Sequence, residues 1–244
     1  MEIGITGSSG FIGKHLVAAL KDRKNLKISC FDLPKRDILN YDSVKRFVSG
    51  KDLIVHAAAV NRGGDSEIIA GSVIAAYNLA SALRESKKKT KLIFLSSTQT
   101  ESETVYGLSK KLAEIMFRDF SVKLGRPVSI FRLTNVFGEG CRPFYNSVVA
   151  TFCRQVADKK ELKINDPGRK INLIYIKDAV KLILKEIFSA EKRTFYFKRA
   201  STNNTITVKK LADLIKSFPD INNPEKLKSK FHKDLYNTYE SFRN

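Results

Sequence analysis

Tyr106 and Lys110 stand four residues apart at the start of a segment whose apolar periodicity predicts a helix, so both side chains fall on one face. A phenol near its ordinary pKa of about 10 is a poor proton-transfer group at neutral pH, and a neighbouring ammonium favours the phenolate and lowers that value. The pair therefore carries the chemistry of a general acid–base centre. Upstream, Ser96-Ser97-Thr98 closes an apolar run with hydroxyls suited to holding a carbonyl oxygen.

A second set of residues points to phosphate. Gly7, Gly10 and Gly13 form a Gly-x-x-Gly-x-x-Gly turn, with Ser9, Phe11 and Ile12 supplying the intervening backbone N–H groups. A chain that turns sharply at the start of a helix and admits a pyrophosphate has no room for Cβ atoms there. The spacing is related to the dinucleotide fingerprint and lacks the Gly-Lys-Ser/Thr ending of the Walker turn. Asp32, at the end of the next strand, suits the ribose hydroxyls of NAD, whereas Lys35 and Arg36 suit the 2′-phosphate of NADP. On the residues alone the two cofactors stand level.

These groups need a scaffold that brings strand ends together. Glu2–Thr6, Leu26–Phe31, Asp52–His56, Leu92–Leu95 and Val128–Arg132 read as strands, with helical periodicity after Gly13, over about Glu67–Arg84 and over Tyr106–Leu124. Strands alternating with long helices predict an α/β fold: a Rossmann-like, doubly wound, mostly parallel sheet. Residues 1–137 are expected to form the dinucleotide-binding region. Residues 138–244 are expected to form a smaller substrate-binding lid, with some segments returning to the core. Within it, Asn146–Ala157, Lys177–Phe188 and Val208–Ser217 read as helices, Glu161–Ile164 as an edge strand and Thr194–Phe197 as a short strand. Ala200–Thr205 and Pro219–Lys230 read as loops, and His232–Asn244 as a segment that docks or frays.

The chain has 244 residues and a formal net charge of +19, a field that attracts anions such as nucleotide phosphates. No nucleic-acid motif or aromatic ladder accompanies that charge, so no nucleic-acid partner is expected. Gly 13 and Pro 6 exclude collagen and low-complexity classes. Cys30, Cys141 and Cys153 lack metal-ligand spacing, so no metal site is expected and a reducing cytoplasm fits best. No stretch approaches about 18 uninterrupted apolar residues, so no membrane insertion is expected.

Thr6–Gly13, His56-Ala57-Ala58-Ala59, Ser96-Ser97-Thr98 and Tyr106-Gly107-Leu108-Ser109-Lys110 together resemble the extended short-chain dehydrogenase/reductases of the nucleotide-sugar type, over nearly the whole chain. The resemblance implies Tyr106 as proton donor or acceptor, Lys110 as its partner and ribose ligand, and Thr98 as the catalytic hydroxyl. It also implies Asp37 and Ile38 near the adenine, Ala57, Ala58 and Ala59 along the cofactor, and Asn135 facing the nucleotide sugar. A homodimer is implied likewise.

Ala59–Arg62, Phe137–Cys153 and Lys233–Tyr239 resemble more narrowly the reductase half of CapF-type capsular polysaccharide enzymes and their FnlB and WbjC O-antigen relatives. That group implies NADPH-dependent reduction of the C4 ketone of a UDP-2-acetamido-2,6-dideoxy-hexulose, with NAD(H) kept open by Asp32. In that group a cupin domain carries out the preceding epimerisation, and this chain ends where the cupin would begin; the resemblance leaves open a stand-alone reductase served by a separate cupin epimerase and a sequence that is part of a longer chain. Asn61, Arg62, Arg142 and Asn146 are the implied substrate contacts. Two departures stand out: Ser72 occupies the place of a helix-borne asparagine, and Ile171 that of a late arginine, leaving Arg142, Arg169 and Lys170 as candidates for the diphosphate. The competing readings are a sugar 4-epimerase, a dTDP-4-keto sugar reductase, a 4,6-dehydratase, or a non-catalytic dinucleotide- or RNA-binding protein.

Overall fold

The computed structural model describes residues 1–191, 193–200, 202–227 and 229–243. In chain order the strands are β1 (Glu2–Thr6), β2 (Lys27–Phe31), β3 (Leu53–His56), β4 (Lys91–Ser97), β5 (Val128–Leu133), β6 (Asn135–Phe137), β7 (Lys170–Tyr175), β8 (Phe195–Ala200) and β9 (Thr205–Thr207). The helices are α1 (Phe11–Lys21), α2 (Tyr41–Val48), α3 (Asp65–Ile69), α4 (Ala75–Glu85), α5 (Val105–Leu124), α6 (Val148–Ala157), α7 (Ile176–Ile187), α8 (Val208–Lys216) and α9 (Lys230–Glu240). Two compact units result: residues 1–133 with 180–200, and residues 134–179 with 201–244.

The first unit holds a six-stranded sheet of order β2-β1-β3-β4-β5-β8. Every pairing in it is parallel. Leu53-Ile54-Val55 and Leu92–Leu95 are buried apolar runs without alternation, as strands covered on both faces require. Phe31, Phe47, Leu79, Leu83, Phe94 and Phe117 belong to the core that joins the sheet to its helices. The chain leaves β1 toward β2 on one side and reaches β3 on the other, so the switch point lies at the carboxyl ends of β1 and β3, where open sheets bind ligands.

Helix α5 carries Tyr106 and Lys110 and is bounded by local chemistry. The Thr104 side chain accepts the Gly107 N–H at its start, and Gly125 ends it in the left-handed conformation, φ 57°. A Cβ on Gly107 would lie 2.3 Å from the Gln99 carbonyl oxygen, so a glycine lets the first turn of α5 press flat against the 3-10 turn Thr98–Glu101.

In the second unit β6 pairs parallel with β7, and β9 lies antiparallel on its other side. Phe137 meets Tyr175 and Phe231 ring to ring, and Phe218 packs on Tyr236 and Tyr239.

Several expected elements change. Glu161–Ile164 forms no strand: only Leu162 in it is buried, and β7 takes β6 and β9 as neighbours instead. Helix α2 was not anticipated, although Asn40 caps it by accepting the Ser43 N–H at 2.9 Å and Val44, Phe47 and Val48 form its buried face. Strands β6, β7 and β9 are likewise additions. The expected loops at 200–205 and 219–230 and the terminal segment at 232–244 include Ser201, Lys228 and Asn244, which lie outside the described residues.

Candidate active site

The glycine turn closes on itself at the end of β1. Gly10 N–H donates to the Gly7 carbonyl at 3.1 Å, and Gly7 has φ +72°. A Cβ on Gly7 would stand 2.5 Å from the Ala58 nitrogen, and one on Gly13 only 2.0 Å from the Gly7 carbonyl oxygen. Gly10 caps α1 without a side-chain hydrogen bond, and no acidic residue occupies the first turn. A helix start without a side-chain cap, framed by positions that exclude side chains, fits a dinucleotide pyrophosphate.

The end of β3 is fastened to that turn. Thr6 Oγ1 accepts the Ala58 N–H at 3.4 Å and bonds His56 Nδ1 at 2.7 Å, while Ala57 N–H donates to the Thr6 carbonyl at 3.1 Å. His56 is 1 % exposed and stacks on Phe94 at 5.4 Å. Burial, aided by the charge of Lys110, holds His56 down to about 3, so the ring is neutral.

At the end of β2, Asp32 accepts hydrogen bonds from the Ser8 hydroxyl and from Ser9 N and Oγ, each of the latter at 3.1 Å. Arg36 donates Nη1 to the Cys30 carbonyl at 2.8 Å, while Lys35 is exposed. The Asp37-Ile38 segment is held by Asn78 on α4, which donates to the Ile38 and Leu39 carbonyls at 3.0 Å. Asn78 is not among the residues the sequence motifs mark; an amide on the otherwise apolar buried face of α4 is the signal for it.

At the end of β4 the structure brings Tyr106 and Lys110 to successive residues. Ser97 is hydrogen-bonded to the Tyr106 phenol, and its oxygen also accepts the Gln99 N–H at 3.1 Å. Thr98 begins the 3-10 turn, so the hydroxyl on the phenol is the one before the residue singled out by resemblance. Lys110, 2 % exposed, donates Nζ to the Leu95 carbonyl at 2.8 Å and lies 4.3 Å from the Phe94 ring centre. Burial pushes its amine down to about 7, against the opposing charge of Glu114.

The expectation that Lys110 lowers the Tyr106 pKa is corrected here. Burial pushes the phenol up to about 12, and the hydrogen bond with Ser97 is what opposes it. The physical reason is the destination of the ammonium, which faces the β4 carbonyl and the Phe94 ring.

Asn61 and Arg62 are exposed on the chain after β3. The remaining expected substrate contacts belong to the second unit. Asn135 donates Nδ2 to the Asn172 carbonyl at 3.1 Å, Arg142 lies 5.0 Å from the Tyr145 ring, and Asn146, Arg169 and Lys170 are exposed. Ser72 sits in a π-helical turn, Ala70–Ile74, between α3 and α4; its hydroxyl and that of Thr100 are buried without a hydrogen-bond partner among the described residues. No group of three or more His, Cys, Asp or Glu is arranged to hold a metal ion among the described residues.

Residues 3–193 match the NAD dependent epimerase/dehydratase family. The chain is 32% identical over 246 residues to the UDP-2-acetamido-2,6-beta-L-arabino-hexul-4-ose reductase of Pseudomonas aeruginosa, covering 99% of this chain and 65% of that protein. It is similar to the crystal structure of the capsular polysaccharide assembling protein CapF from Staphylococcus aureus, with TM-score 0.80, 29% identity, and coverage of 100% of this chain and 65% of that one. The Thermus thermophilus UDP-glucose 4-epimerase in complex with NAD shares the fold, with TM-score 0.83, 20% identity, and coverage of 100% and 99%. The chain thus spans about two thirds of the reductase and of CapF.

Proposed function

Because the chain belongs to the NAD dependent epimerase/dehydratase family, we propose that it is a nucleotide-sugar oxidoreductase that uses NADPH to reduce the C4 ketone of a UDP-2-acetamido-2,6-dideoxy-hexulose to a UDP-N-acetyl-L-talosamine-type sugar. The observation that carries this reading is the half-buried Tyr106 phenol at the β4 edge, with the Ser97 hydroxyl on its oxygen and Lys110 one helical turn along the same face. A reduction needs a proton donor beside the carbonyl oxygen, and a protonated phenol is one. Similarity to the Pseudomonas reductase supports the choice of ketone.

In this reading the N–H groups of the Gly7–Gly13 turn and of the first turn of α1 hold the pyrophosphate. The nicotinamide, when bound, supplies the hydride for C4. Lys110 holds the adjoining ribose, Ser97 and Thr98 hold the C4 oxygen, and Tyr106 delivers its proton to that oxygen, so no free alkoxide accumulates. Nucleotide-sugar recognition is assigned to Asn61, Arg62, Asn135, Arg142, Asn146, Arg169 and Lys170. NADPH is the assigned reductant, with Lys35 for the 2′-phosphate. NADH is the second reading, favoured by the Asp32 carboxylate and by the tethering of Arg36 to the Cys30 carbonyl.

A homodimer is supported by exposed apolar side chains on the α3–α4 and α5 helices, among them Ile69, Ile74, Tyr77, Leu108, Leu112 and Ile115. Free cysteines at 30, 141 and 153 fit a reducing cytoplasm, and similarity to CapF supports a place in capsule or O-antigen precursor synthesis. A 4,6-dehydratase is disfavoured because Glu101, the acid nearest the strand-end hydroxyls in the chain, is bound to Arg132 and Arg199. The decisive experiment offers UDP- and dTDP-4-keto sugars with NADPH or NADH, following nicotinamide absorbance and product NMR. Stoichiometric oxidation with a C4 alcohol as product supports the reductase; interconversion of C4 epimers without net oxidation makes the protein an epimerase.

A further inference from the structure

Consecutive residues at the end of β4 are each taken by a side chain from one face of α5. The Leu95 carbonyl accepts the Lys110 ammonium at 2.8 Å, the Ser96 hydroxyl donates to Glu114 Oε1 at 2.6 Å, and Ser97 is hydrogen-bonded to Tyr106. Tyr106, Lys110 and Glu114 recur every four residues, a single row along the helix.

Glu114 is only 5 % exposed, and a carboxylate so placed demands a partner. Arg132 provides it from β5, where it lies opposite Ser96 in the parallel register. Its Nε reaches Oε1 at 2.8 Å and its Nη2 reaches Oε2 at 2.6 Å, a two-pronged clamp. Arg132 Nη1 also lies 3.4 Å from Glu101, which in turn accepts Arg199 Nη1 at 2.6 Å from β8. Glu101 ends the 3-10 turn that begins at Thr98, so the network spans β4, β5, β8 and the hydroxyl loop.

A buried ion pair is a weak source of stability, since an apolar pair of the same volume avoids its desolvation. What this pair supplies is a carboxylate fixed one helical turn beyond Lys110, with the guanidinium on its far side. We infer that Glu114 is a positioning residue: clamped by Arg132 and Ser96, it sets the Tyr106–Lys110 row over the β4 edge and places a carboxylate one helical turn from the Lys110 amine that holds a dinucleotide ribose.

This inference rests on the reading of Lys110 as the ribose ligand. The groups facing Lys110 are Glu114 on its own helix, the Leu95 carbonyl and Phe94 ring on β4, and His56 on β3, with the Tyr106 phenol one turn away on Ser97. With His56 at about 3 and Tyr106 at about 12, neither carries charge near neutrality, which leaves Glu114 to oppose the effect of burial on Lys110.

The test is calorimetric titration with NADP+ and NAD+ across the neutral range, alongside the pH profile of kcat/KM. In Glu114→Gln the alkaline fall in dinucleotide affinity and in kcat/KM should move down by about one pH unit. Glu114→Asp, which keeps the charge, should leave it in place. Because Glu114→Gln strands the Arg132 guanidinium, a double variant, Glu114→Leu with Arg132→Met, removes both charges and should show a smaller displacement in the same direction. An unmoved alkaline limb in a folded carboxylate-free variant overturns the inference, whatever the loss in Tm. Failure of both such variants to fold also counts against it, because the pair is then structural. A wild-type protein that binds dinucleotide but reduces no 4-keto sugar defeats the reductase reading alone, and the binding titrations still decide the role of Glu114.

Discussion

The Lys110 ammonium donates a 2.8 Å hydrogen bond to the Leu95 carbonyl, so its charge is directed at the backbone of β4 and the Tyr106 phenol is held by Ser97 instead. A phenol governed by burial and one hydroxyl stays protonated at neutral pH, which suits delivery of a proton more than its removal. Replacing Tyr106 by Phe should lower kcat by about 10²-fold or more while leaving the dinucleotide dissociation constant nearly unchanged. Single-turnover kinetics with matched binding titrations check this, and near-normal turnover in Y106F removes Tyr106 from the chemistry.

Ser97 and Thr98 can be separated. Ser97→Ala removes the partner of the Tyr106 oxygen and the acceptor for the Gln99 N–H, and should cost about 10²-fold in kcat. Thr98→Val should cost less if Ser97 is the principal hydroxyl. The opposite ranking in parallel assays restores Thr98 to that role.

Gly13→Ala puts a methyl 2.0 Å from the Gly7 carbonyl oxygen, within backbone that cannot move without opening the turn. A stability loss of about 2 kcal/mol is expected, together with loss of dinucleotide binding. Denaturant melts and calorimetry measure the two effects; a variant that binds normally shows that the turn is not the pyrophosphate cradle.

His56 makes stability depend on acid. Its folded pKa of about 3 lies below the ordinary 6.5, so between these values the unfolded chain binds a proton that the folded chain refuses. Stability is therefore fully present above about 6.5 and is lost as pH falls through 3, by on the order of 5 kcal/mol across the window. Urea midpoints of the wild type should fall along this window more steeply than those of His56→Asn. Parallel curves exclude His56 as the source.

Leu112, 45 % exposed, stands on the apolar face of α5. If that face joins two copies, Leu112→Glu should shift the protein from dimer to monomer in sedimentation velocity while leaving the monomer folded. A wild type that sediments as a monomer rejects the homodimer.

The parallel core strands and the long helix after residue 104 were legible because each signal is local. Strand β5 ends at Leu133, one residue beyond the expected Arg132, and α5 begins at Val105, one residue before the expected Tyr106. What escaped was built by distant partners or by patterns too short to carry a period. Strand β6 is a three-residue strand that pairs with β7, some forty residues on, and β9 pairs with β7 across another thirty. Glu161–Ile164 shows the converse: a fitting pattern stays coil where no neighbouring strand comes alongside.

The candidate site divides in the same way. Glycine spacing, the Tyr106–Lys110 interval and the acid after β2 are set by covalent neighbours within one or two helical turns, and the order of residues alone decides them. Which hydroxyl meets the phenol, where the Lys110 ammonium points, and that Glu114 is clamped by Arg132 depend on how β4 and β5 register beneath α5. Shifting that register by one residue would exchange the hydroxyls without changing a letter of the chain, because side chains alternate faces along a strand. Burial, which moves Tyr106, Lys110 and His56 away from their ordinary titration ranges, is likewise a property of the packed molecule and exists only once the sheet and its helices have closed around them.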